Sequence, residues 1–154
     1  MINRFLLILF FSILTNNLFG QASDSLICKN DYIFGAWYDS TKVSTGGTGF
    51  IFTPDGCCSI IMDGDITSCE QGNTKILFQV DYSTIPRQIH IKFINIKTDS
   101  LKKTIPMIFN IIDLNHIRLG IHKDLKNNRP LNFDDNNDLE ISIMTRFIEK
   151  GNNN

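Results

Sequence analysis

KILFQVDYSTIPRQIHIKFIN, residues 75–95, is the stretch that decides the fold. Apolar side chains alternate with polar ones in two runs, and a segment containing Ser, Thr and Pro separates the runs. Alternation with a period of two indicates a β-strand that has one apolar and one polar face. The stretch therefore predicts two antiparallel strands, at residues 75–82 and 88–95, joined by a turn.

The same pattern recurs on both sides of this stretch, and turn residues separate the alternating runs. Thr53-Pro54-Asp55-Gly56 fits a type I turn, and Asp63-Gly64 fits the type I′ turn of a β-hairpin. No helical periodicity persists beyond a turn or two. The prediction is an all-β domain of eight strands, at residues 36–43, 48–53, 57–62, 75–82, 88–95, 105–112, 115–122 and 139–148.

Successive hairpins would connect these strands in an up-and-down order. Eight such strands close readily into a small barrel, and closure removes the exposed edges that favour aggregation. We therefore predict an eight-stranded up-and-down antiparallel barrel. A sandwich of two packed sheets is the alternative for the same pattern.

The first residues have the layout of a secretory signal. Arg4 precedes the apolar run Phe5–Leu14, and the small residue Ala22 follows a polar stretch. The run is shorter than the about 20 apolar residues that cross a bilayer, so a cleaved signal is favoured over a retained anchor. The predicted division is a signal peptide at 1–22, the barrel domain at 23–150 and a disordered tail at 151–154. The predicted location is secreted or periplasmic.

Charge and motif content argue against several classes of function. The net charge of −1 offers no basic footprint for nucleic acid. The pair Lys102-Lys103 is interpreted as solvated loop charge. No Ser, Cys or Thr stands in a recognisable catalytic motif, and no Gly-rich phosphate loop is present. The prediction is therefore a protein that is not an enzyme and has no cofactor.

Two groups of polar residues are candidates for metal binding. His90, His116 and His122 have no short ligand spacing, and they are interpreted as surface residues. Residues 134–140 alternate oxygen-bearing side chains as a calcium loop does at its start. They lack the Gly and Glu expected at the sixth and twelfth positions, so a polar loop is favoured. No metal site is predicted.

An even number of cysteines in an exported chain predicts disulfides. The four are Cys28, Cys57, Cys58 and Cys69. Zinc is the alternative, but adjacent cysteines lack the usual ligand gap. When the hairpin is counted outward from Asp63-Gly64, Cys58 lies opposite Cys69. Neighbouring strand residues face opposite sides, which leaves Cys57 for Cys28. The hypothesis is a Cys58–Cys69 and a Cys28–Cys57 bond.

Five landmarks in order carry a resemblance to a known family. Gly35-Ala36-Trp37 resembles the Gly-x-Trp signature that opens the first strand of lipocalins. The other four are the segments 52–56, 86–91, 108–119 and 129–133. Together, over Tyr32–Phe147, they resemble small bacterial lipocalin-like domains, many of them exported. His90 stands where those relatives usually carry Asp, and the cysteines are not part of their pattern.

The resemblance implies a lipocalin-like topology and a role for the single Trp. In such barrels the first-strand Trp closes one end, and an Arg of the last strand lies across its ring. Arg146 matches that Arg by position, so Trp37 is expected to be a structural plug. The alternative is a Trp that stacks on a ligand at an open mouth. The implied structural signature comprises Gly35, Trp37, Arg129, Pro130, Phe133 and Arg146.

The expected function follows from this resemblance and from the predicted barrel. We expect an exported, non-enzymatic, lipocalin-like binding protein that holds a small apolar ligand, although the sequence does not identify the ligand-binding residues. The alternative is an envelope or extracellular protein-interaction module that acts through its loops and has a packed interior. The expected partner is therefore a small hydrophobic ligand or an envelope protein. Nucleic acid and a membrane span after signal cleavage are not expected.

Overall fold

The computed structural model describes residues 31–39, 41, 47–124, 130–134 and 138–147. The chain divides into two compact units, Met1–Tyr32 and Ile33–Asn154. In the first unit only Asp31 and Tyr32 are described, and they lie in a turn. The predicted signal peptide, Cys28, Arg129 and the predicted tail at 151–154 lie outside the described residues.

The described part of the second unit is all β, as predicted. It contains ten strands in one sheet. They are β1 (Gly35–Asp39), β2 (Thr48–Phe52), β3 (Cys58–Met62), β4 (Asp65–Thr67), β5 (Glu70–Gln71), β6 (Thr74–Asp81), β7 (Arg87–Asn95), β8 (Ser100–Asp113), β9 (His116–His122) and β10 (Leu139–Arg146).

The predicted count of eight strands is wrong by two. Eight of the ten correspond in order to the predicted strands, and the additional ones are β4 and β5. These two have three and two residues, which is too short for alternation to show in the sequence. β8 also starts at Ser100, earlier than the predicted residue 105.

The sheet curves into a nearly closed barrel. The strand order is β4-β3-β2-β1-β10-β9-β8-β7-β6-β5, so the first long strand pairs with the last. The remaining gap, which we call the seam, lies between the β3–β4 hairpin and the β5–β6 hairpin. A backbone bridge between Cys57 and Leu77 spans it, and the bridge includes a hydrogen bond from the Phe78 N–H to the Gly56 carbonyl at 2.9 Å. The single continuous sheet differs from the alternative of two packed sheets.

The predicted disulfide pairing is wrong. The structure contains a Cys57–Cys69 bond, with the two Cα atoms 5.5 Å apart, and Cys58 is free and buried. The predicted pairing of residues on either side of the Asp63-Gly64 turn is correct as far as Ile60 and Thr67, where β4 ends. Beyond that point the Cys69 carbonyl accepts a hydrogen bond from the Ile76 N–H at 2.7 Å. Cys69 is therefore not paired with β3. It lies beside β6, the strand with which Cys57 forms a bridge through Leu77.

Cys58 lies on the other face of β3, because successive strand residues point to opposite sides. Its side chain is fully buried, and this burial raises the pKa of the thiol to about 12. The thiol is therefore protonated at neutral pH. The adjacent cysteines thus have different environments, one at the seam and one in the barrel interior.

Cross-strand pairing determines which side chains share the interior. Trp37 is opposite Phe50, and Phe50 is opposite Ile60, so all three face inward. A second, smaller apolar cluster lies on the outer face, where Phe133 packs with Ile108 and Leu139. The core therefore has two parts, separated by the sheet itself.

Candidate functional site

A cavity of about 710 Å³ occupies the interior of the barrel. Its size is within the range of about 300–1,000 Å³ that is usual for small-molecule sites. Apolar side chains from seven strands form most of its wall. They are Phe50, Ile60, Met62, Ile76, Ile91, Phe93, Ile105, Met107, Leu119, Ile121 and Met144. They recur at alternate positions along their strands, because only every second side chain points inward.

Polar side chains line the cavity mainly at one end. Neighbouring strands of this sheet run antiparallel, so the end of β1 lies beside the start of β2. In the same way, the ends of the odd-numbered strands and the starts of the even-numbered strands lie at one end of the barrel. We call the polar lining residues at this end the rim: Asp39, Thr48, Thr74, Lys102, Lys103 and Glu140. Lys102, Lys103 and Glu140 are exposed, so the cavity opens to solvent here.

The two lysines of the rim differ from their sequence interpretation. Lys102-Lys103 was expected to be solvated loop charge, but both residues belong to β8 and line the cavity. The predicted strand began after them because two adjacent lysines interrupt the apolar alternation. The site therefore has a cationic edge that the sequence pattern did not indicate.

Asp39 is a buried acidic group at the rim, only 3% exposed. Its Oδ1 accepts hydrogen bonds from the backbone N–H and the hydroxyl of Thr41, at 2.9 and 2.6 Å. Its Oδ2 accepts one from the Ser142 hydroxyl at 2.9 Å. The carboxylate thus joins the end of β1 to β10. Asp39 was not among the site residues predicted from the sequence, although its position two residues after Trp37 places it on the same inward face.

The opposite end of the barrel is packed. Trp37 is fully buried there, and its Nε1–H donates to the Ile33 carbonyl at 2.7 Å. The Arg146 guanidinium lies over the indole, with Cζ 4.6 Å from a ring centroid. The two residues are directly paired between β1 and β10. Gly35 begins β1 with φ +116°, a conformation that L-residues rarely adopt. We call this the closed end.

Two other residues of the sequence signature lie away from the cavity. Phe133 packs on the outer face of the sheet, with the Cζ of Arg118 4.5 Å from its ring centroid. A Cβ added to Gly120 would lie 3.1 Å from this ring, so the glycine lets Phe133 approach β9 closely. Pro130 is also buried. The structure therefore does not bring these residues together with Trp37.

The three histidines are spread over two strands. His90 is on β7, whereas His116 and His122 occupy the two ends of β9. The His116 Nδ1 lies 2.9 Å from the Asp113 carboxylate. The Asn115 backbone N–H, together with this histidine, holds the pKa of Asp113 below its usual range. Among the described residues, no group of three or more His, Cys, Asp or Glu side chains is placed to hold a metal ion.

Comparisons with models of known protein families, with curated proteins and with solved structures found no match. Within the described ranges, no helix has the length and apolar character needed to cross a membrane. The functional interpretation therefore depends on the geometry of the cavity and of its rim.

Proposed function

We propose that this protein is an exported, non-enzymatic, lipocalin-like binding protein that holds a small apolar ligand in its barrel. The observation that carries the proposal is the apolar cavity of about 710 Å³, open at the rim. Small barrels either fill their interior with side chains or leave room for one small ligand. Here the Trp37 end is packed, whereas the rim end has space.

The chemistry of the wall supports an apolar ligand. Buried Ile91, Met107 and Met144 line the cavity, together with the partly buried rings of Phe50 and Phe93. Transfer of apolar surface from water to such a wall is favourable by about 25 cal/mol per Å². Methionine side chains also adapt their shape to a ligand.

Export is supported by the Cys57–Cys69 disulfide, because such bonds persist in oxidising compartments. The signal-like layout of residues 1–22 agrees with the same location. The proposal assigns no catalytic role to Asp39. Its three hydrogen bonds give that carboxylate a structural role between β1 and β10.

A neutral fluorescent dye, N-phenyl-1-naphthylamine, tests the proposal. We expect the wild-type protein to bind it with enhanced fluorescence. Ile105→Phe adds volume at a lining position of β8 and should weaken binding about tenfold or more, since the added ring occupies the cavity. Ile112→Phe is the matched control, because Ile112 is on the same strand but 54% exposed.

Melting temperatures of both variants establish that they are folded. Absence of dye binding by folded wild-type protein would contradict the proposal. Equal binding by Ile105→Phe and wild type would also contradict it, because the dye would then be bound outside the cavity.

The second candidate function is an interaction module of the envelope. Exposed apolar side chains at turns of the closed end favour it, namely Ile85 at 91% and Leu114 at 67% exposure. Large exposed apolar groups can mark contacts with another protein. This candidate predicts that Ile85→Ser with Leu114→Ser abolishes binding of a purified partner and leaves dye binding unchanged.

A further inference from the structure

We propose that the ligand is a single-chain amphiphile whose anionic head group is bound by Lys102 and Lys103. This inference rests on the proposed function, since it concerns the same cavity. It specifies the chemical class of the ligand and its orientation. The head group lies at the rim and the apolar chain extends towards the closed end.

An irregularity in β8 brings both lysines to the cavity. Lys103 is opposite Phe93 and Leu101 is opposite Ile94, so Lys102 is an extra residue between two consecutive pairs. In a regular strand, adjacent side chains face opposite sides, and one of the two lysines would point outward. A bulge re-aims a side chain in this way. Both lysines consequently line the cavity.

The ammonium groups retain capacity for an anion. Lys102 Nζ donates to the Thr74 hydroxyl at 2.7 Å and to the Asn73 carbonyl at 3.4 Å. Because an ammonium has three N–H donors, one remains. Within the part of the chain that the structure describes, no hydrogen bond or ion pair reaches the Lys103 ammonium. Thr74 and Asn73 hold Lys102 in place, and Lys103 supplies further charge.

The acidic residues of the rim do not neutralise this pair at close range. Both oxygens of Asp39 already accept hydrogen bonds from Thr41 and Ser142. Among the described residues, no ion pair joins Lys102 or Lys103 to Asp39 or to Glu140.

The extent of the cavity along β8 favours an elongated ligand. Met107 is fully buried and lines the cavity four residues beyond Lys103 on the same strand. The lining of β8 therefore continues for about 13 Å along the strand from the cationic edge. A carboxylate and a phosphate each accept hydrogen bonds from ammonium groups, and both are anionic head groups of single-chain amphiphiles.

Displacement of N-phenyl-1-naphthylamine by four amphiphiles with the same twelve-carbon chain tests the inference. They are dodecanoate, dodecyl phosphate, dodecanol and dodecyltrimethylammonium. We expect the two anions to bind at least about tenfold more tightly than dodecanol, which corresponds to about 1.4 kcal/mol. The cation should bind most weakly. A comparison of the two anions shows which head group the lysines prefer.

Lys103→Gln and Lys102→Gln should reduce the preference for the anions to about threefold or less, with dodecanol affinity unchanged. Lys92→Gln is the matched control, because it removes the same charge from the neighbouring β7, where Lys92 contacts Gln79 and is not a lining residue. Its preference should equal that of wild type. Lys102 and Lys103 are exposed, so these variants are expected to fold, and melting temperatures check this.

The possible failures are distinguishable. If wild-type protein binds dye and dodecanol but prefers neither anion, the inference is overturned and the proposed function stands. A preference that survives loss of both lysines overturns the assignment to β8. If the folded protein binds neither the dye nor any amphiphile, both proposals are wrong.

Discussion

At the scale of single residues, Trp37 combines full burial with a hydrogen bond and a cation–π contact. It is fully buried, donates a hydrogen bond to the Ile33 carbonyl and lies under the Arg146 guanidinium. Its lone indole lies on the first strand of the sheet. Burial of the ring and the contact with the last strand both stabilise the junction of β1 and β10.

Replacement of Trp37 by Ala should lower the free energy of unfolding by about 3–5 kcal/mol, the usual cost of truncating a buried aromatic side chain. Arg146→Lys should cost about 1–2 kcal/mol, because a lysine keeps the charge but loses the planar stacking on the indole. Urea denaturation measures both. Phe147→Ala is the control, since Phe147 is next to Arg146 and 59% exposed. A Trp37→Ala protein as stable as wild type would contradict a structural role for the ring.

At the scale of elements, the seam is the part of the barrel that strand pairing alone does not close. β4 and β5 do not pair with each other, and the Cys57–Cys69 bond lies across the break. The bonded residues are 12 positions apart. A loop of this length, closed by a disulfide, contributes about 3 kcal/mol through the reduced entropy of the unfolded chain.

The double variant Cys57→Ser with Cys69→Ser should therefore lose about 3 kcal/mol of stability. Mild reduction of the wild-type protein should have the same effect. Urea midpoints measure the loss, and a non-reducing peptide map identifies the bond. Reduction should not further destabilise the double variant, which serves as the control. A map that joins Cys58 to Cys69 would contradict the structure.

The sequence predicted the long strands because their alternation reflects one wet and one dry face. It did not predict β4 and β5, because strands of two or three residues carry no readable period. The disulfide pairing failed for the same reason, since it assumed that the β3–β4 hairpin continues to Cys69. The inward lysines could not be predicted, because the bulge that re-aims Lys102 depends on the register between β7 and β8.

At the scale of the whole molecule, the barrel has two different ends. One end is filled by Trp37 and its neighbours, whereas the other contains the cavity and the polar rim. The inward apolar residues of the sequence fit a filled barrel and a hollow one equally well. The volume of the interior depends on the tilt of the strands and on how the sheet closes into a barrel, and the sequence pattern shows neither. The cavity could therefore be found only from the three-dimensional structure.

The central claim is that an apolar ligand enters the barrel, and methionine methyl groups test it most directly. Met107 and Met144 are buried and line the cavity, whereas Met62 lies at its mouth and is 61% exposed. In protein labelled with carbon-13 at the methionine methyl groups, titration with N-phenyl-1-naphthylamine should shift the Met107 and Met144 signals through the ring current of the bound dye. Unchanged Met107 and Met144 signals at saturating dye would contradict the account.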